Sequence, residues 1–377
     1  MAQTVVPTNS RQIQWESKYF REYVRANRFS KYMGTDELSP IQINEDLTKK
    51  VGEQVNFTLV NRLVGNQNTL TGAVSGQMSG ITGYNRLKGN EEAQSQRNFR
   101  VTVARTRWAV LHDVFDEQVS AVDIADSKRA TLMDWSKENV RDRIIIALGS
   151  ISTDGSTHTA YASASAGNRN TWLINNADRI CFAASNAAAG YTVLATDLQQ
   201  LDTTNDLFTG ANLTKLKDMA KAASPKIKPI KVNDEEEYYV CFCGTALFRA
   251  LQTSLATLNQ ALIQGGESRK DNPIFTSGDL MYDGIVIREI PEIANLGTVG
   301  ASSANVGVAY LCGAQALSYA IAKRQRIIQD TDDYGAAVGV GVEMWDGIAK
   351  TYFGSGAADT TTPKQNGVAT GFFAYVP

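Results

Sequence analysis

The side chains best suited to acid, base or nucleophilic chemistry in this chain are two histidines and four cysteines. A serine or cysteine nucleophile needs a histidine beside it to take its proton. His112 follows a predicted strand, whereas His158 lies in a polar stretch of quite different character. The sequence also lacks the G-x-S-x-G turn that presents a serine nucleophile in many hydrolases. We therefore predict no catalytic residues.

Metal and phosphate binding are predicted to be absent as well. Cys241 and Cys243 would point to one face of a strand, but a single C-x-C without a second ligand pair favours core packing. Asp330, Asp332 and Asp333 lack the glycine and distal glutamate of a calcium loop, so we interpret them as loop caps. Neither G-x-x-x-x-G-K-[ST] nor G-x-G-x-x-G occurs. No metal and no cofactor are expected.

The composition is that of a globular chain with little net charge. Its 377 residues are 43% hydrophobic and 20% charged, with a net charge of -2, so attraction to nucleic acid or anionic lipid must be local. Positions 1–10 lack the pattern of a signal peptide, and no stretch reaches the roughly 20 apolar residues that span a bilayer. Four cysteines in so long a chain favour a reducing cytosol. The sequence predicts a protein made and used inside a cell.

The N-terminal segment combines a helical pattern with local positive charge. Trp15, Tyr19 and Tyr23 recur every four residues within positions 12–33, as on one face of a helix. Met1–Thr35 has a net charge of +4. The pattern fits an amphipathic helix whose charges are merely solvated. It also fits an arm that packs on a neighbouring subunit or faces packaged nucleic acid.

A long extension is predicted at 46–111. Two sets of apolar residues alternate with polar ones, as in half-buried strands: Val55, Phe57 and Leu59, and Phe99, Val101 and Val103. The glycine-rich stretch 64–95 between them far exceeds the roughly 4 to 6 residues of a typical loop. We interpret 46–111 as a projecting two-stranded hairpin, which needs a surface to pack on. A flexible loop lying on its own domain is the alternative.

The rest of the chain mixes helices and strands. Asp126 or Ser127 is predicted to cap a helix that ends at Gly149 and buries one face. The polar, small-residue stretch 150–190 is interpreted as an irregular surface insertion. Five further elements are predicted: a helix capped by Asn212, a doubly covered strand at Tyr238–Cys243, a leucine-rich helix at Leu247–Leu262, and strands at Ile285–Ile287 and Val308–Cys312. Their irregular order favours the α+β class.

Four segments, in order, carry a family resemblance. They are Ser127–Trp135 with its continuation to Leu148, Tyr239–Phe242 with Leu247–Leu251, Asn272–Gly278 with Tyr282–Ile287 and Pro291, and Leu311–Leu317 with Asp333–Gly335 and Trp345–Phe353. Together they span roughly 127–353 and resemble the major capsid proteins of tailed phages, in particular a podovirus-like subgroup. The region 150–211 matches that group least.

The resemblance implies the HK-ninety-seven-type capsid fold, an α+β fold with an arm, an extended loop, a peripheral domain and an axial domain. The predicted division has five parts: 1–45 as N-terminal arm, 46–111 as extended hairpin loop, 112–211 as peripheral domain with spine helix and insertion, 212–329 as axial domain, and 330–377 as return strands completing the peripheral domain. Some relatives crosslink subunits through lysine and asparagine. Lys88 lies near the predicted hairpin tip, but no partner is identified and the crosslink is not carried over.

The resemblance further implies a major capsid protein without enzymatic activity. Its copies are expected to form pentamers and hexamers of an icosahedral shell around the double-stranded DNA of a tailed phage. Expected partners are scaffolding and portal proteins, a decoration protein in some cases, and the DNA non-specifically, with no membrane. The expected location is the virion, after assembly in the host cytoplasm. The alternatives are an encapsulin-like nanocompartment shell, a soluble hydrolase and a phage tail-structure protein.

Overall fold

The computed structural model describes residues 25, 27–45, 53–60, 66–67, 78–79, 88, 91, 96–120, 123–184, 190–233, 236–264, 279–354 and 362–377. Most of the helix predicted at 12–33 and most of the hairpin tip predicted at 64–95 lie outside these residues. The prediction is wrong for the described end at 27–33, which forms only a short 3-10 turn at Ser30–Tyr32 before a strand begins at Met33. No helix in the described ranges is long and apolar enough to cross a membrane.

The strands, in chain order, are β1 (Met33–Gly34), β2 (Ile41–Asn44), β3 (Gln54–Val60), β4 (Asn66–Gln67), β5 (Met78–Ser79), β6 (Gln96–Thr102), β7 (Ala104–Asp113), β8 (Ser150–Ile151), β9 (Thr159–Ala160), β10 (Ile180–Phe182), β11 (Ile230–Asn233), β12 (Glu236–Cys243), β13 (Asp279–Tyr282), β14 (Ile285–Glu289), β15 (Asn305–Cys312), β16 (Leu317–Asp332), β17 (Ala337–Lys350), β18 (Tyr352–Gly354), β19 (Pro363–Gln365) and β20 (Val368–Tyr375). The helices are α1 (Val114–Val119), α2 (Ile124–Gly149), α3 (Ala166–Asn175), α4 (Leu194–Leu198), α5 (Gly210–Ala222) and α6 (Thr245–Gln264).

A seven-stranded sheet forms the centre of the hydrophobic core. Its order is β10-β20-β15-β12-β14-β13, with β11 paired to β12 off this path. β15 is antiparallel to both β12 and β20, whereas β14 runs parallel to β12. The described side chains of β15 and β20 are buried on both faces, as their nearly continuous apolar sequences require. α5 and α6 pack against β20.

A five-stranded sheet of order β1-β2-β16-β17-β7 extends from this core. β16 and β17 form a long antiparallel pair whose register is interrupted between Ile321 and Arg326. β7 pairs with β17 along its whole length and forms the edge of the sheet. α2 packs on one face of this sheet, against β17 and β7.

The predicted helix ending at Gly149 is confirmed as α2, but it begins earlier than predicted. Asp123 is the N-cap, since its carboxylate accepts a hydrogen bond from the backbone N–H of Asp126 at 3.0 Å. At 1.5 Å per residue its 26 residues span about 39 Å. The buried stripe includes Leu132, Ile144 and Leu148. α5 also starts before its predicted cap, because Thr209 rather than Asn212 caps it.

The prediction of an irregular surface insertion at 150–190 is wrong. α3 carries Trp172 and Leu173 into the core, and β10 is fully buried as it pairs in parallel with β20. Only a few large side chains of this segment are buried. The composition of the segment as a whole is polar, so it does not indicate that these side chains belong to the core. Ser165 caps α3 by accepting a hydrogen bond from the backbone N–H of Asn168.

The two sheets divide the chain differently from the predicted segments. β16 starts inside 212–329 and pairs with β17 from 330–377, so this pair crosses the predicted boundary. β20, from the predicted return strands, lies inside the seven-stranded sheet beside β15. The physical reason is burial, since Val368–Ala374 is buried at every position and therefore requires the interior of a covered sheet.

Candidate contact surfaces

The two histidines occupy structural surroundings. His112 Nε2 lies 3.2 Å from the Glu117 carboxylate at the junction of β7 and α1. The His158 ring packs against Phe99 and Tyr352, with ring centroids 5.6 and 5.5 Å away. Burial lowers the pKa of His158 to about 4, so the ring is neutral at pH 7. Within the described ranges, neither histidine hydrogen-bonds a serine or cysteine.

The four cysteines are buried free thiols. Cys241 and Cys243 lie in β12 against β15, which confirms the prediction of core packing. Burial raises the pKa of Cys312 to about 12, so this thiol stays protonated at neutral pH. The described residues contain no group of three or more His, Cys, Asp or Glu that could hold a metal ion.

Of the three predicted acidic caps, Asp330 and Asp332 lie at the end of β16, and Asp333 begins the turn to β17. The backbone N–H of Thr331 donates to Asp330 Oδ1, and that of Asp333 donates to Asp332 Oδ1, both at 2.9 Å. The interpretation as a cap is thus confirmed for Asp332, the N-cap of the 3-10 turn Asp333–Gly335, whereas Asp330 lies within β16 opposite Gly339. In this turn, Tyr334 has a left-handed backbone with φ of 55° and a fully exposed side chain. The turn therefore presents an exposed aromatic ring directly after Asp333.

The predicted strands of the hairpin are confirmed as β3 and β6, which pair antiparallel from Gln54 opposite Thr102 to Val60 opposite Gln96. One face is apolar and buried, and it carries Val55, Phe57, Phe99 and Val101. The other face is polar and exposed, and there the Thr58 hydroxyl donates to Asn98 Oδ1 at 3.0 Å. The described part of the hairpin thus has one face that packs and one face that remains available.

The root of the hairpin is seated on the body of its own chain. Phe99 lies edge-on to Phe353 of β18, with ring centroids 6.4 Å apart, and also contacts His158. The Arg97 guanidinium donates to the carbonyl oxygen of Gly354. These contacts fix where the hairpin leaves the molecule.

The five-stranded sheet has one covered face and one open face. On the covered face, Trp108 of β7 stacks on Trp135 of α2 at 5.8 Å, and Val110 packs with Leu132. Side chains alternate along a strand, so the intervening residues of β7 point to the other face. All five of them are exposed: Arg105, Arg107, Ala109, Leu111 and Asp113. We call this surface, with the residues of β16 and β17 in register with it, the open face.

Charge is graded along the open face. Arg105 and Arg107 of β7 lie at the end near β6, with Arg326 of β16 in register through β17. At the opposite end, Asp113 is in register with Ala337 of β17 and hence with Asp332 of β16. One end of the open face is therefore basic and the other acidic.

Glu343 lies at the basic end of the open face, where three side chains donate hydrogen bonds to its carboxylate. Its carboxylate accepts hydrogen bonds from the Trp345 indole N–H at 2.6 Å, from Arg326 at 2.8 Å and from Arg105 at 2.6 Å. These donors hold the pKa of Glu343 down at about 2. Glu343 thereby fixes two guanidinium groups against the sheet, while Arg107 remains exposed beside them.

The far end of the five-stranded sheet exposes large apolar side chains. We call this end the distal tip; it consists of residues 111–119 and 330–336. The backbone N–H of Val114 donates to the carbonyl of Ala336 at 2.8 Å, which joins its two segments. Four side chains besides Tyr334 are strongly exposed, namely Leu111, Val114, Phe115 and Val119. Grouped apolar exposure of this kind marks a contact surface.

The described end of the N-terminal arm is tied to the core. Phe29 is fully buried, and its ring lies 4.9 Å from that of Phe242 in β12. The Arg28 guanidinium donates to the carbonyl of Glu289 at 2.8 Å. Arg25 lies 3.5 Å from the Glu292 carboxylate. Anything N-terminal to these residues therefore starts from a fixed point.

Sequence reasoning missed the open face and the anchoring of Arg25 and Arg28. The alternation from Arg105 to Asp113 is the signal that would have found the open face, since it places arginines, Leu111 and Asp113 together on one side. The arginines of the arm carry no such signal, because their partners lie more than two hundred residues away in the chain.

Comparison with known proteins gives a consistent result. A family described as phage capsid protein matches residues 6–370. The major capsid protein of Pseudomonas phage KPP25 is 26% identical over 372 residues, covering 94% of this chain and 93% of that protein. The cyanophage Pam1 capsid asymmetric unit matches with a TM-score of 0.84 and 32% identity, covering 100% of this chain and 99% of that one. The capsid of Ralstonia phage GP4 matches with a TM-score of 0.72 and 22% identity, covering 100% and 99%.

Proposed function

This chain belongs to the phage capsid protein family, and on that premise we propose that its copies assemble as pentamers and hexamers of an icosahedral head around double-stranded DNA. It is a phage major capsid protein with the HK-ninety-seven-type α+β fold, and copies of it form the shell of the virion. The observation that carries the proposal is the family match over 6–370 together with the structural match over the whole chain. The family is structural, and we propose that this chain has no catalytic activity.

The hairpin of one copy lies on the open face of the next copy. Two features support this pairing. The open face is a solvent-exposed sheet surface with separated basic and acidic ends. The hairpin presents polar side chains such as Asn56 and Thr58 on its exposed face. Stable interfaces bury on the order of 1,200 to 2,000 Å², and an extended hairpin supplies such area without enlarging the core.

Shell closure depends on many weak contacts acting together. Each subunit binds several neighbours, so one contact makes the next intramolecular and raises its effective concentration. Exposed ion pairs contribute only about 0 to 1 kcal/mol each. Individually weak pairs allow wrongly placed subunits to leave during assembly, whereas the closed shell is held by their sum.

The domains of the family map onto the two sheets. We assign the five-stranded sheet and α2 to the peripheral domain, and the seven-stranded sheet with α5 and α6 to the axial domain around the capsomer axis. The arm and the extended loop are shorter than the predicted 1–45 and 46–111, because β1, β2 and β7 belong to the five-stranded sheet. The segment 150–211 is shared, because α3 follows the end of α2 whereas β10 lies in the seven-stranded sheet.

Other partners follow from the role of the shell. The arm has a net charge of +4 on a chain of net charge -2, which supports weak, non-specific contact with the DNA. Scaffolding and portal proteins direct assembly in the host cytoplasm, and a decoration protein binds outside in some heads. The relatives named above are phage capsid proteins. An encapsulin-like compartment, a soluble hydrolase and a tail-structure protein are therefore not favoured.

Negative-stain electron microscopy of the expressed chain, alone and with the proteins encoded beside it, tests the proposal. Closed shells, with DNA and a tail-bearing vertex in infected cells, are expected. An empty cellular compartment would instead favour an encapsulin-like shell, and tubes or rings would favour a tail protein. A small oligomer that loses a defined turnover upon substitution of one carboxylate would favour a hydrolase.

Deletion of residues 64–95 tests the role of the hairpin. The deletion leaves residues 61–63 between β3 and β6, and three-residue loops commonly close antiparallel hairpins. The subunit should therefore fold while closed particles disappear. A matched variant with a glycine–serine segment of equal length at 64–95 should also fail to form shells. Normal heads from the deletion would refute the proposed role of residues 64–95 in shell closure.

A further inference from the structure

A cavity of about 200 Å³ lies where the end of α2, α3 and the seven-stranded sheet meet. Most of its wall is apolar and includes Ile145 and Leu148 of α2, Trp172 of α3 and Phe372 of β20. Ligand sites for drug-sized molecules typically measure about 300 to 1,000 Å³, so this cavity accepts only a small molecule. A wider cleft of about 780 Å³ lies beside it and shares Tyr161 and Leu296 with it.

One part of the cavity wall is polar. Lys350, at the end of β17, is 1% exposed, and its ammonium makes one long hydrogen bond of 3.4 Å to Gln365 Oε1. Thr370 of β20 is also buried, and its hydroxyl has no hydrogen-bond partner among the described residues. Thr370 is in register with Tyr310 of β15, so both side chains lie on the same face of the sheet.

Within the part of the chain that the structure describes, no anionic side chain compensates the ammonium. The residues that line the cavity include no aspartate or glutamate. Burial lowers the pKa of Lys350 to about 7. The nearby titratable groups are neutral at pH 7: burial lowers the pKa of His158 to about 4, raises that of Cys312 to about 12, and raises those of Tyr161 and Tyr310. A buried ammonium without a counter-charge either loses its proton or binds an anion.

We propose that this cavity binds a short-chain carboxylate, whose carboxylate group lies on the Lys350 ammonium and the Thr370 hydroxyl and whose chain lies against Ile145, Leu148 and Phe372. A charged ammonium hydrogen-bonded to a carboxylate is a strong pairing. The apolar wall favours such an ion over phosphate or sulfate, because those ions would place several oxygens against hydrocarbon.

The position of the cavity gives the ligand a structural effect. Lys350 belongs to the five-stranded sheet and Thr370 to the seven-stranded sheet, so one bound carboxylate connects the two. A ligand that binds only the folded state stabilises it in proportion to the logarithm of its concentration. The junction between the sheets would thereby be stabilised by a small metabolite.

Thermal unfolding of the purified full chain in sodium butyrate tests the site, with sodium chloride at equal ionic strength as the reference. At about pH 6, below the pKa of Lys350, butyrate at about one hundred times its Kd should raise Tm by roughly 2 to 4 °C or more. At about pH 8.5 the free ammonium is mostly deprotonated, so the apparent affinity for butyrate should fall at least ~10-fold.

Three variants separate the site from a general salt effect. Lys350→Met should abolish the response to butyrate. Thr370→Val keeps the ammonium and should weaken the response to butyrate. This second variant still tests the site if Lys350→Met does not fold. Lys217→Met is the matched control, because Lys217 pairs with Asp283 at 2.8 Å on the surface and does not line the cavity. A butyrate response no larger than that to chloride, or one retained in full by both cavity variants, would overturn the proposal.

Discussion

The two sheets of this subunit differ in how they use their faces. In the seven-stranded sheet, β15 and β20 are covered on both sides by apolar neighbours. In the five-stranded sheet, α2 covers one face only, and the other face exposes Arg105, Arg107 and Leu111. The first sheet thus derives its stability from within the chain, whereas the second leaves one face in solvent, where we propose that another copy packs. A shell subunit benefits from this separation, because substitutions that alter assembly need not alter folding.

The largest effect is expected from truncating the core of the seven-stranded sheet. Phe182 is fully buried in β10 and stacks on Phe372, with ring centroids 5.5 Å apart. Phe182→Ala should lower the free energy of unfolding by about 3 to 5 kcal/mol, because it removes buried area and leaves a cavity. Chemical denaturation of the unassembled subunit measures this change.

Leu111→Ala on the open face is the matched comparison. Leu111 is 61% exposed, so its truncation should change the free energy of unfolding by no more than about 0.5 kcal/mol. It should nevertheless reduce particle yield in microscopy. Equal destabilisation by Leu111→Ala and Phe182→Ala would remove the distinction between the two sheets.

A second large effect is expected from acid at the root of the hairpin. His158 packs between Phe99 and Tyr352, and its pKa is lowered from an ordinary value of 6.5 to about 4 by burial. The unfolded chain therefore binds a proton first as pH falls, so stability is present above about 6.5 and declines toward pH 4. The total loss is about 3 kcal/mol at 1.36 kcal/mol per pH unit.

His158→Phe should flatten this pH dependence of unfolding between about pH 6.5 and 4, because the aromatic contact remains and the titrating group is gone. Hydrogen exchange at β3 and β6 provides a local readout. If the slope persisted in His158→Phe, another group would be responsible for the acid sensitivity.

A smaller effect is expected at the anchor of the arm. Arg28 is partly buried, donates to the carbonyl of Glu289 at 2.8 Å and lies 3.7 Å from the carboxylate of the same residue. Arg28→Ala should cost about 1 kcal/mol, since the contact is one charge-assisted hydrogen bond at a partly solvated site. Differential scanning calorimetry measures this loss, and Lys31→Ala nearby on the exposed surface is the control. Equal losses in both variants would show that the Glu289 contact is not specific.

The contrast between buried and exposed surfaces also explains which elements the sequence predicts. β12 and α6 were predicted because their apolar patterns are dense, and β3 and β6 because they alternate strictly. The segment containing Trp172 and Ile180 was misinterpreted, since few large residues carry its burial. β16 escaped prediction because its distal half, from Arg324 to Asp332, is mostly polar and exposed. The burial of Lys350 in the cavity wall could not be predicted from the sequence, because lysine side chains usually lie on the protein surface.

The smallest effect on folding, with a clear effect on assembly, is expected at the charged end of the open face. Arg107 is exposed on the edge strand beside the guanidiniums fixed by Glu343. Arg107→Glu should change the free energy of unfolding by no more than about 0.5 kcal/mol. Assembly should slow and become more salt-dependent, because electrostatic complementarity acts mainly on association rates.

Light scattering at low and high salt measures that change, with Lys221→Glu, an exposed charge reversal on α5, as the control. Each subunit repeats its contacts around the shell, so a loss too small to detect in one folded monomer is multiplied in the particle. If Arg107→Glu and Lys221→Glu slowed assembly equally, net charge rather than the open face would govern association, and the proposed division between the two sheets would lose its electrostatic support.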